Sequence, residues 1–132
     1  MNVPKAFAEQ LWNQIIEEGF IPFDTHMRHR FDNHNSIIHP FEECRRIDNI
    51  PATTTKLLGL LSACSGFAGV PSGNMPCALS VLPPEKILYI TSVFPASKLT
   101  RLPVHEINWK KGYDSSIIHD WLQCIKKQLR GN

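Results

Sequence analysis

Histidine side chains are concentrated in one short part of this chain of 132 residues. Four of the six histidines lie within fourteen consecutive residues, and they are His26, His29, His34 and His39. Histidine is the commonest metal ligand in proteins, and its charge changes close to neutral pH. The residue types in this segment therefore predict that any metal chemistry or acid–base chemistry of the protein is located here.

The spacing of this histidine cluster is compatible with a site for zinc or another divalent transition metal. Its first two members are three residues apart, which places both rings on one side of a helix, and the later two could complete a tetrahedral site. Asp24 or Glu43 would then activate a water molecule in a metal-dependent hydrolase or nuclease. The spacing matches neither His-Glu-x-x-His nor paired Cys-x-x-Cys, so the sequence favours a polar segment without a cofactor, and the metal site is the alternative.

A second interpretation of the histidine cluster is a segment that responds to pH. Arg28 and Arg30 lie among the histidines. Protonation of several rings below about pH 6 would therefore bring like charges together and open the segment. Solvated histidines without any such role are favoured here as well.

Other residues with catalytic potential lack the partners that their chemistry requires. Residues 60–66 locally resemble the cysteine loop of caspase-like peptidases, and this resemblance would make Cys64 a nucleophile. Those peptidases also carry a His-Gly pair, which is absent from this sequence, and their fold is longer than this chain. Neither a P-loop nor a zinc-deaminase motif is present. The sequence thus favours a buried helical cysteine, and it leaves open whether the protein is an enzyme.

A different kind of site is predicted close to the last strand of the chain. Trp109 and Tyr113 flank Lys110 and Lys111, and aromatic side chains are enriched at protein interfaces. The strand that precedes them would be a free sheet edge, available to a partner or to a second copy. We therefore predict a small soluble accessory protein that binds another protein, a second copy of itself or a small ligand.

Composition and charge limit the classes to which the protein can belong. The chain is 42% hydrophobic and 20% charged with a formal net charge of +2, as in an ordinary globular domain. No apolar run is long enough to span a membrane, and no segment has the pattern of a signal peptide, so we predict a cytoplasmic protein with reduced thiols. Residues 95–132 are basic, with seven Lys or Arg against three Asp or Glu. They lack a nucleic-acid-binding motif, which argues against nucleic acid as the partner.

Three helices are expected to support these candidate sites. Pro4 and Gly19 delimit an amphipathic first helix, and a leucine-rich central helix is expected over residues 51–65. A last helix is expected to begin near residues 114–116, where Asp114, Ser115 or Ser116 can cap it. The apolar face of this last helix consists of Ile118, Leu122, Ile125 and Leu129.

Three strands are expected between the central helix and the last helix. Residues 77–82 and 87–94 have strand-like composition, and the four residues that separate them predict an antiparallel hairpin. A third strand is expected over residues 102–109, where Pro103 favours an edge position.

The remaining glycine-rich residues, 66–76, are expected to form a loop. The complete pattern predicts an α+β fold for a single domain over residues 1–132. In that fold a small antiparallel sheet, made of the hairpin and the third strand, is packed by the N-terminal, central and C-terminal helices.

Overall fold

The computed structural model describes residues 3–22, 54–71 and 75–129 of the chain. Contacts group the chain into two compact units, Met1–Ala52 and Thr53–Asn132. A single domain over the whole chain stays a prediction. The N-terminal unit contains helix α1, Lys5–Glu17.

Helix α1 begins and ends where the sequence predicts. Pro4 is the residue directly before it, and Gly19 adopts the left-handed φ of 96° that favours glycine after a helix. Phe7 and Leu11 are buried, whereas Ile16 is 50% exposed. The buried face of α1 therefore includes Phe7 and Leu11 but not Ile16, although all three side chains are apolar.

The C-terminal unit contains the sheet and the other described helices. In chain order these elements are α2 Thr54–Ser62, β1 Phe67–Gly69, α3 Met75–Val81, β2 Ile87–Thr91, β3 His105–Asn108 and α4 Ser115–Leu129. Short 3-10 turns lie at Pro84–Lys86, Ala96–Lys98 and Trp109–Lys111. Among the helices of the described ranges, none has both the length and the apolar character needed to cross a lipid bilayer.

The three strands of this sheet are parallel, with β2 in the centre. Tyr89 of β2 is aligned with Gly69 of β1 on one side and with Glu106 of β3 on the other. The predicted antiparallel sheet is therefore wrong. Parallel neighbours need connections of about a dozen residues or more, and residues 70–86 and 92–104 provide them.

The segment predicted as the first strand of a hairpin is instead helical. Residues 77–81 belong to α3, and Leu82 follows it directly. Met75, Ala78 and Leu82 are buried, and their separations of three and four residues match one face of a helix. Residues 77–82 are a short, nearly continuous apolar run, and such a run does not distinguish a strand from a buried helix.

Strand β1 lies within the segment that the sequence predicts as a glycine-rich loop. A strand forms there because the glycines allow neighbouring atoms to pack closely against the backbone. A Cβ atom at Gly66 would overlap Cδ1 of Ile125 and lie 3.1 Å from the carbonyl oxygen of Lys86. A Cβ atom at Gly69 would lie 2.8 Å from the ring of Phe67. Glycine inside a strand often marks such an approach, whereas the sequence alone favours a turn.

Both faces of β2 are covered, and all five of its residues are buried. Tyr89 belongs to a core cluster with Leu61 of α2 and with residues of α3. Side chains alternate along a strand, so Leu88 and position 66 face the opposite side, where Ile125 of α4 lies. Helices therefore pack on both faces, as expected of a central parallel strand.

Helix α4 closes the second face and agrees with its prediction. The carboxylate of Asp114 accepts a hydrogen bond from the backbone N–H of Ser116 at 3.0 Å, so Asp114 is the cap among the three candidates. The indole N–H of Trp121 donates to the carbonyl oxygen of Lys86 at 2.8 Å. The buried residues of α4 are Ile118, Trp121, Leu122 and Ile125. These contacts hold α4 against the start of β2.

Candidate functional site

Exposed apolar side chains are concentrated on the connection between β2 and β3, residues 92–104. The large apolar side chains exposed there are Val93, Phe94, Leu99 and Leu102, with exposed fractions of 70%, 39%, 36% and 45%. Two exposed cations, Lys98 and Arg101, lie among them in the chain. We call these six side chains the connection surface. Exposed apolar patches on proteins commonly mark interaction sites.

The beginning of the connection is held by two hydroxyl groups of β2. The carbonyl oxygen of Phe94 accepts hydrogen bonds from Oγ1 of Thr91 at 2.6 Å and from the phenol of Tyr89 at 3.1 Å. Burial raises the pKa of Tyr89, and the negative charge of Glu106 adds to this increase. The phenol therefore stays protonated at neutral pH and remains a hydrogen-bond donor.

Two side chains of β3 hold the same part of the connection from the other side. The carboxylate of Glu106 accepts a hydrogen bond from the backbone N–H of Ala96 at 3.0 Å. Asn108 donates from Nδ2 to the carbonyl oxygen of Ser92 at 3.3 Å. Its Oδ1 accepts from the N–H of Lys110 at 2.9 Å. Asn108 thus links the connection to the turn after β3.

The parallel register explains why these four side chains act together. Tyr89 is aligned with Glu106, and Thr91 is aligned with Asn108. Aligned residues of neighbouring strands point to the same face of a sheet, as do residues two apart on one strand. The four side chains consequently lie on one face, and from there they fix the backbone of residues 92–96.

The predicted binding residues lie on and just after the turn that follows β3. Lys110 and Lys111 are exposed, while Trp109 and Tyr113 are half-buried. Nζ of Lys110 lies 5.9 Å from the centroid of the Trp109 ring, at the limit of cation–π range. The indole N–H of Trp109 is buried and has no hydrogen-bond acceptor in the described part of the chain. The ring is therefore only partly available to a partner.

The connection surface is the feature that the sequence prediction missed. The sequence predicts a strand over residues 87–94, which would include Val93 and Phe94, but β2 ends at Thr91. Pro95 and Pro103 were a usable signal, because proline disfavours a central strand position. Val93 and Phe94 directly precede Pro95, and Lys98 and Arg101 lie between the two prolines; this pattern indicates an exposed connection.

The predicted metal ligands, His26, His29, His34 and His39, lie outside the described residues. Within residues 3–22, 54–71 and 75–129, no group of three or more His, Cys, Asp or Glu side chains is arranged to hold a metal ion. The metal site at the histidine cluster therefore stays a prediction of the sequence.

The environment of Cys64 does not suit a nucleophile. The side chain follows α2 and is half-buried, and its thiol donates to the carbonyl oxygen of Leu60 at 3.3 Å. Burial raises the pKa of the Cys64 thiol. Reactive cysteines instead have a lowered pKa that maintains the thiolate, so the contacts of Cys64 are those of a packed thiol.

No family model, no curated protein and no solved structure matches this chain. Its function is therefore inferred from its own residues and contacts.

Proposed function

We propose that this protein is a small accessory protein that binds another protein through the connection surface. The observation that supports this proposal is the combination of exposed apolar side chains with a backbone that the sheet already fixes. Val93 is 70% exposed, and the neighbouring carbonyl oxygen of Phe94 accepts two hydrogen bonds from β2.

A fixed backbone favours binding because less conformational freedom is lost when a partner docks. Ordering the backbone of one residue costs about 1–2 kcal/mol, and a segment that is ordered beforehand loses little of this on association. Residues 92–96 are held by hydrogen bonds from both β2 and β3. The backbone that carries Val93 and Phe94 is thus fixed before any partner binds.

The predicted cationic residues extend the proposed surface. Lys110 is connected to the start of the connection through Asn108, which bonds both to it and to Ser92. Polar and charged groups around an apolar centre are typical of the rim of an interface. A cytoplasmic location of the protein remains part of the proposal.

Charge introduced at position 93 tests the proposed surface. We expect Val93→Asp in the full-length chain to abolish retention of a partner from extracts of cells that express the protein. The matched control is Ile21→Asp, which places the same charge on another exposed apolar side chain, one that is 67% exposed. Both variants should stay within about 0.5 kcal/mol of the parent in the free energy of unfolding, as usual for exposed positions.

The proteins retained by the parent, by Val93→Asp and by Ile21→Asp are compared quantitatively. A protein that is retained by the parent and by Ile21→Asp, but not by Val93→Asp, would support the proposal. Equal retention by all three chains, or retention by none, would contradict binding through the connection surface.

A further inference from the structure

The connection surface is cationic as well as apolar. Lys98 and Arg101 are exposed within it, and Lys110 and Lys111 are exposed on the turn after β3. Residues 92–104 contain neither Asp nor Glu. The side chains of this connection thus present apolar groups and positive charge to a partner, and the carboxylate of Glu106, which bonds to the N–H of Ala96, is a negative group beside them.

The first two carboxylates that follow the connection in the chain accept hydrogen bonds from the backbone. Glu106 accepts a hydrogen bond from the N–H of Ala96, and Asp114 accepts one from the N–H of Ser116. Both carboxylates thus have structural roles, one in fixing the connection and one in capping α4. The exposed cations can therefore pair with acidic groups of a partner.

We infer that the partner contributes a segment in which apolar side chains are flanked by Asp or Glu. This inference rests on the proposed function and adds the chemistry of the partner to it. Apolar side chains of the segment would cover Val93 and Phe94, and its carboxylates would pair with Lys98 and Arg101. Complementary charges at the rim of an interface increase the association rate and exclude wrong partners.

A second copy of this chain fits the connection surface less well. The common dimer has twofold symmetry, in which the same patch lies on both sides of the interface. Two positively charged patches, each with Lys98 and Arg101, would then face each other, and like charges repel across an interface. Charge complementarity therefore favours a different protein.

Anionic membranes and nucleic acids also attract cations, but the surface has few features of either kind of site. Membrane recognition by charge uses clusters of about four to eight Lys or Arg. The connection carries two, Lys98 and Arg101, and the turn after β3 adds Lys110 and Lys111, so the cations reach only the lower end of that range. Single-stranded nucleic acids stack their bases on aromatic side chains. Three of the four exposed apolar side chains of the connection surface are aliphatic, and the fourth is Phe94.

Selection from a displayed library of random 16-residue peptides on the immobilised full-length chain tests this inference. We expect the selected peptides to be enriched in Asp and Glu together with Leu, Ile and Phe, relative to the starting library. A fluorescein-labelled selected peptide then gives dissociation constants from fluorescence anisotropy. Raising the NaCl concentration should weaken its binding, because salt screens exposed charges.

Charge reversal identifies the cations that bind the acidic residues of the peptide. We expect the double variant Lys98→Glu, Arg101→Glu to bind the labelled peptide about tenfold more weakly than the parent. The matched control is Lys127→Glu, which reverses an exposed cation on α4, on the opposite face of the sheet. This control should change the dissociation constant less than about twofold.

Several outcomes would overturn the inference. Selected peptides without acidic enrichment, or equal effects of the double variant and the control, would exclude a partner of this chemistry. The surface would instead be assigned to a membrane if three results occurred together. The parent would cosediment with vesicles of phosphatidylcholine and phosphatidylserine, the double variant would not, and the selection would yield no acidic peptides. If either result occurs while Val93→Asp still loses its cellular partner, protein binding stands and only the acidic partner is excluded.

Discussion

The carbonyl oxygen of Phe94 shows how single side chains prepare the candidate site. It accepts hydrogen bonds from both Thr91 and Tyr89, so the chain turns sharply where β2 ends. Each such bond contributes on the order of 1 kcal/mol to stability. A small number of contacts therefore keeps a turn with exposed apolar side chains in one conformation.

Asp114 is the single residue whose charge has the clearest expected effect on stability. Hydrogen bonds from the hydroxyl and the N–H of Ser116 lower the pKa of Asp114 in the folded protein. Because the folded protein favours the charged carboxylate, its stabilisation is fully present above the unfolded pKa of about 4. That stabilisation is lost as the pH falls through the lower pKa of the folded state.

The variant Asp114→Asn isolates the effect of this charge, because asparagine keeps a capping oxygen without ionising. We expect the parent to be more stable than the variant at pH 6, and the difference to decrease as the pH approaches 2. Thermal unfolding of both chains across this pH range measures it. A difference that does not change with pH would show that the charge of Asp114 does not contribute.

Among the secondary-structure elements, α4 and β1 depend on close contact at Gly66. A Cβ atom there would overlap Ile125 and approach the carbonyl oxygen of Lys86. We expect Gly66→Ala to decrease the free energy of unfolding by about 1–3 kcal/mol, as is usual for an overpacked core. Urea denaturation followed by circular dichroism measures the change.

Gly59 in α2 provides the matched control, because an added Cβ atom there meets no heavy atom within 4 Å. Alanine favours the interior of a helix over glycine by up to about 1 kcal/mol. Gly59→Ala should therefore stabilise the chain where Gly66→Ala destabilises it. Effects of the same sign at both positions would contradict the proposed packing of α4 against the start of β1.

For the protein as a whole, the competing hypothesis is a metal-dependent hydrolase or nuclease. It uses His26, His29, His34 and His39, and it predicts about one equivalent of zinc, iron or manganese in untagged protein purified without chelator. The proposed binding function requires no metal, so under it we expect metal content far below one equivalent and no thermal shift on adding zinc.

Substitution of single histidines separates these two hypotheses further. Under the binding function, His29→Ala and His34→Ala should leave the metal content and the unfolding temperature unchanged. Bound metal in the parent that either substitution removes would favour the hydrolase or nuclease. Metal content is measured by mass spectrometry on protein without a polyhistidine tag.

The main helices are the part of the fold that could be predicted from local pattern. Pro4 and Gly19 mark the limits of α1, and the buried face of α4 includes Ile118 and Leu122. Caps and apolar spacing depend on residues close together in the chain. Of the candidate binding residues, Lys110 and Lys111 are exposed as an interface residue should be, although their role stays a proposal.

The direction of the strands and the connection surface were decided only by tertiary contacts. Both parallel and antiparallel strands fit the same local composition, and their pairing depends on which helix covers each face. Residues 77–81 become part of α3 because Met75, Ala78 and Leu82 fill the core against β2. Once the strands are parallel, residues 92–104 must return along the sheet to the start of β3. That return path exposes Val93 and Phe94, since the apolar faces of the sheet are already covered by α3 and α4.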